Sequence, residues 1–157
     1  MLEALVGHGV DFVVVGGFAG LAHGSSYPTQ DLDIAYARDP ENIKRLVDAL
    51  RELGVTLRGA PNDLPFQLDE RSIENGANFT FDTEHGSFDV LGAIDGIRSY
   101  DELRNAATKG RLEGVEVRYA SLDHLISMKR ASNRAKDKLM VEDYIVIADE
   151  EQREEGA

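Results

Sequence analysis

The stretch VVVGGFAGLAHGSSYPTQDLDIAYA, Val13 to Ala37, decides how this chain is interpreted. A short apolar run ends at the pair Gly16-Gly17, and an acid-Leu-acid triplet begins fourteen positions after Gly17. An apolar run that stops at glycine is typical of a buried strand. The triplet starts an alternation of polar and apolar residues, which predicts a second strand with one buried face. Because neighbouring carboxylates repel each other, the triplet needs a compensating cation.

The two aspartates of the triplet form a candidate metal site. Asp31 and Asp33 point to the same side of the predicted strand, with Cβ atoms roughly 6.6 Å apart. Magnesium is held by one or two carboxylates plus substrate phosphates, and paired metals stabilise the attacking and leaving oxygens in phosphoryl chemistry. Asp89, in SFDVLGAI, is the predicted third carboxylate, because it starts a strongly apolar strand. The prediction is a Mg²⁺ or Mn²⁺ site formed by Asp31, Asp33 and Asp89. The alternative is a solvated strand face, since the chain has 29 acidic residues.

The glycine pair predicts a phosphate cradle. Gly16-Gly17 stands between a predicted strand and a short predicted helix, where bare backbone N–H groups can bind a phosphate. Glycine also allows the phosphate to approach closely. Ser25 and Ser26 offer further hydroxyl donors, so these residues together predict a site for a nucleoside triphosphate.

Composition limits the class of protein. The 157 residues are 42% hydrophobic and 29% charged, which is typical of a globular chain of one domain. Absence of cysteine excludes disulfides and thiolate chemistry. We expect a cytoplasmic protein without membrane contact, since no apolar run approaches the ~20 residues of a spanning helix and the N-terminus has no leader pattern. The net charge of −12 disfavours a broad nucleic-acid footprint.

Periodicity predicts an α/β (α+β) fold, with a small mixed β-sheet flanked by helices and a C-terminal helical part. The predicted strands are 12–15, 32–36, 78–81, 88–94, 111–112 and 115–119. The predicted helices are 1–6, 18–23, 40–53, 99–107 and a last helical region, with one or two breaks, from Ser121 to about Ala148. Residues 62–76 are predicted to be a loop. The chain is divided into a single domain, 1–148, and an acidic disordered tail, 149–157.

Two sequence motifs carry a resemblance to a known family. The pattern GG, a short helix ending in HG, and then TxDLDI resembles the signature of the nucleotidyltransferase superfamily, which includes DNA polymerase β and kanamycin nucleotidyltransferase. The chain is most similar to a minimal bacterial branch that includes the abortive-infection toxins of toxin–antitoxin systems. The segment SLDHLISMKRASNRAKD resembles the C-terminal motif of that branch. The likeness extends from residue 13 to about 137.

The resemblance implies an enzyme that transfers a nucleoside monophosphate from a nucleoside triphosphate (NTP) to an acceptor hydroxyl. The acceptor is an RNA end such as tRNA, a protein or a small molecule, and the toxin branch implies a partner antitoxin. In the family the third carboxylate, here Asp89, helps to activate the acceptor, while Asp31 and Asp33 bind magnesium. The predicted nucleotide-binding residues are Gly16, Gly17, Ser25, Ser26, Thr29, Lys129, Arg134 and Lys136, with further roles for His23 and Asp137.

Some of these residues have other interpretations. Many relatives have serine where this chain has Gly17, and a basic residue where it has Tyr27. His23 also fits a helix-end packing histidine. The cationic run 129–138 also fits a solvated helix face, on which Asp137 pairs with a neighbouring cation.

Three other classes compete with the enzyme. A dinucleotide-binding G-x-G-x-x-G would need glycine at Val15, and the acids come too early for a ribose contact. A calcium loop lacks its later ligands and its glycine. A non-catalytic nucleotide-binding or interaction module with the same fold is the serious rival, and magnesium-dependent NTP consumption would separate it from an enzyme.

Overall fold

The computed structural model describes residues 1–61 and 66–156. Within these residues the strands are β1 Phe12–Val15, β2 Leu32–Tyr36, β3 Thr56–Leu57, β4 Asn78–Thr83, β5 Gly86–Leu91, β6 Thr108–Leu112 and β7 Val115–Tyr119. The helices are α1 Leu2–Gly7, α2 Gly16–Ala22, α3 Pro40–Glu52, α4 Glu70–Asn75, α5 Tyr100–Ala106, α6 Leu122–Ser132 and α7 Ala135–Glu155.

The strands form one mixed sheet in the order β3-β4-β5-β2-β1-β7-β6. β2 pairs parallel with β5, and β1 pairs parallel with β7. The remaining neighbours are antiparallel, including the hairpins β4-β5 and β6-β7. The sheet and its flanking helices confirm the predicted mixed α/β class. Because β5 adds beside β2 rather than at an edge, two distant acidic segments become neighbours.

The apolar periodicity explains the central elements. All four residues of β1 are buried, as expected for a central strand. In α3 the buried positions Ile43, Leu46 and Leu50 lie on one stripe. The side chain of Asp39 accepts a hydrogen bond from the N–H of Asn42 and caps that helix. The apolar side chains of β1 and α3 belong to the same hydrophobic core.

The C-terminal part consists of two packed helices, α6 and α7. Ser121 caps α6 by accepting a hydrogen bond from the N–H of His124, as the sequence predicts. α6 ends at Asn133, whose left-handed φ of 51° turns the chain into α7. Leu125 of α6 and Tyr144 of α7 are fully buried, so this helical pair belongs to the core.

The predicted loop at 62–76 is wrong for its last part, which contains α4. Asp69 caps α4 by accepting from the N–H of Ser72, and Ile73 buries its side chain. The guanidinium of Arg38 donates to carbonyls at the end of α4, including Glu74 at 2.9 Å. This long-range cap explains why the local sequence did not indicate a helix. Residues 62–65 of the predicted loop lie outside the described residues.

Other boundaries also differ from the sequence prediction. α2 begins at Gly16 rather than 18, β5 ends at Leu91 rather than 94, and the two-residue β3 was not predicted. α7 continues to Glu155, beyond the end expected near Ala148, because Ala, Glu, Gln and Arg favour a helix and no glycine interrupts it before Gly156. The division into one domain stays a prediction. No helix in the described ranges is both long and apolar enough to cross a membrane.

Candidate active site

Asp33 of β2 and Asp89 of β5 lie side by side on the sheet. The parallel register pairs these two residues directly. Registered residues on adjacent strands point to the same face, so the two carboxyl groups face each other. Their side chains are close enough to hydrogen-bond when one carries a proton. Acidic residues from two distant segments of the chain thus form one cluster.

Asp31 lies just before β2 and is exposed. Its backbone carbonyl accepts a hydrogen bond from the Thr29 hydroxyl at 3.4 Å. Its charge acts on Asp33, since Asp31 contributes to the raised pKa of that residue. Asp31 therefore stands at the solvent edge of the cluster.

Asp33 has little compensating positive charge. Burial raises the pKa of Asp33, and the nearby carboxylates of Asp89 and Asp31 raise it further, to about 7, although Lys129 acts in the opposite direction. Two facing carboxylates in a partly buried place cannot both ionise easily without a cation. A divalent cation at this place would stabilise the ionised form of both groups.

Both glycines of the pair are fixed by residues of the acidic segment. Gly16 has φ +66°, and a Cβ atom there would overlap the carboxylate of Asp33. A Cβ atom at Gly17 would lie 2.7 Å from both Cβ and Oγ1 of Thr29. Glycine at position 17 is therefore matched to Thr29. Thr29 lies against the start of α2, near Asp33.

The structure engages the Ser25 hydroxyl and the His23 imidazole in contacts away from this cluster. Ser25 is buried, and its hydroxyl donates to Asp143 of α7 at 2.8 Å. Ser26 is exposed. His23 packs edge-on against Tyr119, and its Nε2 donates to a backbone carbonyl at 2.8 Å. Ser25 and His23 therefore hold helices in place, as the packing interpretation of His23 predicts.

The C-terminal motif contributes two cations to a cavity beside Asp33. This cavity of about 270 Å³ is lined by Gly16, Asp33, Lys129 and Arg134, by the polar residues Asn78, Asp95 and Ser132, and otherwise by apolar residues. Lys129 donates to Asp137 at 3.1 Å and Arg134 donates to Asp137 at 2.9 Å. Asp137 thus pairs with neighbouring cations, which is the other interpretation of this residue given in the sequence analysis.

Lys136 is exposed and does not line the cavity. The structure therefore brings Lys129 and Arg134 to the same cavity as Gly16 and leaves Lys136 in solvent.

Arg58 was not predicted from the sequence. Its Nη2 donates to Asp89 Oδ1 at 2.8 Å, and its Nε donates to Asp82 at 3.2 Å. A lone arginine after a two-residue strand carries no local signal, and Asp89 is far away in the sequence. Only the pairing of β3 with β4 brings it to the acidic cluster.

The donor chemistry of the cluster fits a divalent cation. In the part of the chain that the structure describes, no group of three or more His, Asp or Glu residues converges as a metal centre. Asp33 and Asp89 nevertheless face each other with hard oxygen donors. One or two carboxylates suffice for Mg²⁺ when substrate phosphates supply other ligands. The two residues therefore fit a metal that arrives with a nucleotide.

Comparisons with known proteins identify the fold. No family model and no curated protein sequence matches the chain. The lincosamide antibiotic adenylyltransferase LnuA, bound to lincomycin, superimposes with a TM-score of 0.60 at 13% identity, covering 93% of this chain and 92% of that one. ANT(2'')-Ia in complex with adenylyl-2''-tobramycin gives 0.59 at 16% identity, over 98% and 87% of the chains. The solution structure of the antibiotic-resistance factor ANT(2'')-Ia gives 0.58 at 15% identity, over 95% and 79%. The chain thus has a nucleotidyltransferase-like fold.

Proposed function

We propose that this protein is a nucleotidyltransferase that transfers a nucleoside monophosphate from an NTP to an acceptor hydroxyl. The observation that carries the proposal is the in-register pair Asp33 and Asp89, which lies beside a cavity lined by Lys129 and Arg134. Carboxylates for a metal and cations for a triphosphate are the parts that this reaction needs. They occur here on a nucleotidyltransferase-like fold.

In this proposal each residue has a defined task. Asp33 and Asp89 would hold Mg²⁺ or Mn²⁺ together with the substrate phosphates, with Asp31 at the solvent edge of the cluster as a further proposed ligand. The metal would supply charge neutralisation for phosphoryl transfer. Lys129 and Arg134 attract the triphosphate. Gly16 and Gly17 admit the side chains of Asp33 and Thr29 against the start of α2, and their backbone N–H groups are the proposed phosphate donors, with the Thr29 hydroxyl beside them.

In this proposal Asp89 accepts the proton of the acceptor hydroxyl. The hydroxyl oxygen then bonds to the α-phosphorus as the α–β phosphoanhydride bond breaks, and pyrophosphate leaves. The protein contributes the alignment of the two reacting groups.

The acceptor is proposed by class. The structures of LnuA and ANT(2'')-Ia hold lincomycin and adenylyl-2''-tobramycin, which favours a small-molecule acceptor. The C-terminal motif instead resembles that of toxins in toxin–antitoxin systems, which favours an RNA end, such as tRNA, or a protein acceptor and implies a partner antitoxin. A search with α-labelled NTP against tRNA, protein and small-molecule fractions distinguishes these acceptors.

A non-catalytic nucleotide-binding module is the second candidate. Its support is the ion pair of Arg58 with Asp89, which engages the proposed acceptor-activating group, and the absence of a serine hydroxyl at Gly17.

Calorimetric titration with each of the four ribonucleoside triphosphates, with and without Mg²⁺, tests the proposal. We expect magnesium-dependent binding that Asp31→Asn/Asp33→Asn loses. The matched control is Asp123→Asn/Asp149→Asn, which changes net charge equally at exposed helix positions. Equal binding by wild type and Asp31→Asn/Asp33→Asn would overturn the site. Magnesium-dependent binding without turnover of labelled NTP would favour the non-catalytic module.

A further inference from the structure

Arg58 lies at the end of the sheet row that contains the acidic residues. The register joins Asp33 of β2 to Asp89 of β5, and Asp89 to Thr80 of β4. Arg58 follows β3, and its backbone N–H donates to the carbonyl of Thr80 at 3.0 Å. Residues of one row point to the same face. The long side chain of Arg58 therefore reaches across the short side chain of Thr80 to Asp89.

The guanidinium of Arg58 forms hydrogen bonds with Asp89 in this row and with two groups outside it. Nη2 donates to Asp89 Oδ1 at 2.8 Å and to the carbonyl of Phe81 at 3.0 Å. Nε donates to Asp82 Oδ1 at 3.2 Å. Asp82 belongs to the next row, where it is registered with Ser87. Two of the three bonds would therefore survive if Asp89 moved away.

Arg58 and a divalent cation would compete for the same carboxylate. In the described ranges, Arg58 is the cation that forms an ion pair with Asp31, Asp33 or Asp89. A guanidinium cannot lose its proton in a protein, so it stays a positive charge beside the site. A metal ion approaching Asp89 meets both the occupied oxygen and this repulsion.

We propose that Arg58 is a positioning residue that holds Asp89 until the divalent cation arrives, and that the two compete for Asp89 Oδ1. The inference rests on the proposed function, because it takes Asp89 as a metal ligand. When Asp89 turns to the cation, Arg58 keeps its bonds to Asp82 and to the carbonyl of Phe81. No guanidinium is then left unpaired, so the exchange avoids a desolvated free charge.

The test is direct titration with Mn²⁺ alone, in which the electron paramagnetic resonance signal of free Mn²⁺ reports binding. We expect Arg58→Gln to bind Mn²⁺ about two- to fivefold more tightly than wild type, since an exposed competing charge is removed. Arg58→Lys keeps the charge and should stay near wild type. The matched control is Arg104→Gln, because Arg104 is similarly exposed and pairs with Asp11 instead.

Asp82→Asn gives a second variant with the opposite expectation. Without Asp82, Arg58 depends more on Asp89, so Mn²⁺ should bind more weakly. This loss should shrink in the Arg58→Gln background, which separates it from a general charge effect. If Arg58→Gln does not fold, Asp82→Asn and Arg58→Lys still test whether Arg58 competes with the metal. A wild-type Mn²⁺ affinity in Asp82→Asn overturns the inference.

The outcomes distinguish the inference from the proposed function. Mn²⁺ binding that Asp31→Asn/Asp33→Asn loses, but that Arg58→Gln leaves unchanged or weakens, overturns the role of Arg58 alone. Absence of Mn²⁺ binding to wild type overturns the inference, because Arg58 then has no metal to compete with, whereas the NTP titration with Mg²⁺ decides the proposed function separately. If Arg58 has a purely structural role, no variant should bind Mn²⁺ more tightly than wild type.

Discussion

Glycine at positions 16 and 17 is determined by contacts with the acidic segment. Gly16 combines a left-handed φ with direct contact to the Asp33 carboxylate, and Gly17 lies against Thr29. The sequence suggested that both glycines serve a phosphate. The structure shows that they also allow β2 and the residues before it to approach α2 closely. A side chain at either position would therefore disturb the candidate metal site.

Gly16→Ala should destabilise the fold and weaken Mn²⁺ binding. The added Cβ adopts an unfavourable φ and overlaps Asp33, so we expect a loss of about 2 kcal/mol in the free energy of unfolding. Gly54→Ala is the matched control, because Gly54 has φ +62° with open space around its Cβ position. Urea denaturation measures the loss of unfolding free energy in both variants, and the electron paramagnetic resonance signal of free Mn²⁺ measures metal binding. Equal losses in the two variants would show that the contact with Asp33 has no energetic weight.

Gly17→Ser adds the hydroxyl that is frequent in the family the sequence resembles, but it should not strengthen NTP binding. The new Cβ would lie 2.7 Å from the Thr29 side chain, so either Thr29 or α2 must shift. We expect lower stability, by about 1–3 kcal/mol, and no gain in NTP affinity. Gly17→Ser/Thr29→Gly removes the clash and should recover much of the stability lost by Gly17→Ser. Thermal melting and NTP titration of the single and double variants check this, and a fully stable single variant would contradict it.

At the scale of secondary-structure elements, the turn between α6 and α7, here called the joint, fixes the two cations that line the cavity. The side chain of Asp137 is 1% exposed and accepts hydrogen bonds from Ser132, Lys129 and Arg134. One buried carboxylate thus fixes the end of α6, the turn and the start of α7. Because Lys129 and Arg134 also line the cavity, the joint orients the proposed triphosphate site.

Asp137→Asn should cost about 3 kcal/mol of unfolding free energy at neutral pH, because it removes one partner of a buried ion pair. Asp149→Asn is the control, since Asp149 is exposed on the same helix. Urea denaturation at pH 7 compares the two variants with wild type. A loss in Asp137→Asn no larger than that of the control would contradict the role of the joint.

The contribution of Asp137 should disappear in acid. Burial alone would raise the pKa of Asp137, but hydrogen bonds from Ser132, Lys129 and Arg134 outweigh it and lower the pKa to about 2. This pKa lies below the unfolded value of about 3.9, so the stabilisation is complete above about pH 4 and is lost as the pH falls towards 2. The stability gap between wild type and Asp137→Asn should therefore close over this range. A gap that stays constant down to pH 2 would contradict the assignment.

At the scale of the whole molecule, strand order assembles the candidate site. β5 lies between β4 and β2, and Lys129 of α6 and Arg134 of the turn before α7 line the cavity beside Asp33. The chain carries a net charge of −12, so an NTP meets overall repulsion and depends on these local cations and on metal. Binding should consequently stabilise the whole fold only when a divalent cation is present.

NTP with Mg²⁺ should raise the melting temperature of the wild-type protein. A ligand at about tenfold over its Kd adds about 1.4 kcal/mol, which corresponds to a shift of roughly 3–5 °C for a chain of this size. The same NTP with a chelator should give no shift, and neither should Asp31→Asn/Asp33→Asn with Mg²⁺. Differential scanning calorimetry measures the shift. A rise that is independent of metal would count against the metal-bridged site.

The sequence predicted much of the fold because its signals are local. The apolar run of β1, the stripe of α3 and the start of α6 at Ser121 act within a few residues, and all appear in the structure. It failed at α4, whose end is capped by the distant Arg38, and at β3, which exists through its pairing with β4. Local patterns carry no information about such partners.

The sequence by itself determined which residues of β2 share a face, and that a glycine pair precedes them. Only the tertiary structure decided that Asp33 is registered with Asp89, that Arg58 holds Asp89, and that Ser25 is bound to Asp143 instead of lying with the acidic cluster. The reason is physical. A two-residue alternation fixes the direction of side chains along one strand, whereas strand register and long-range ion pairs are set by how the whole sheet and its helices pack.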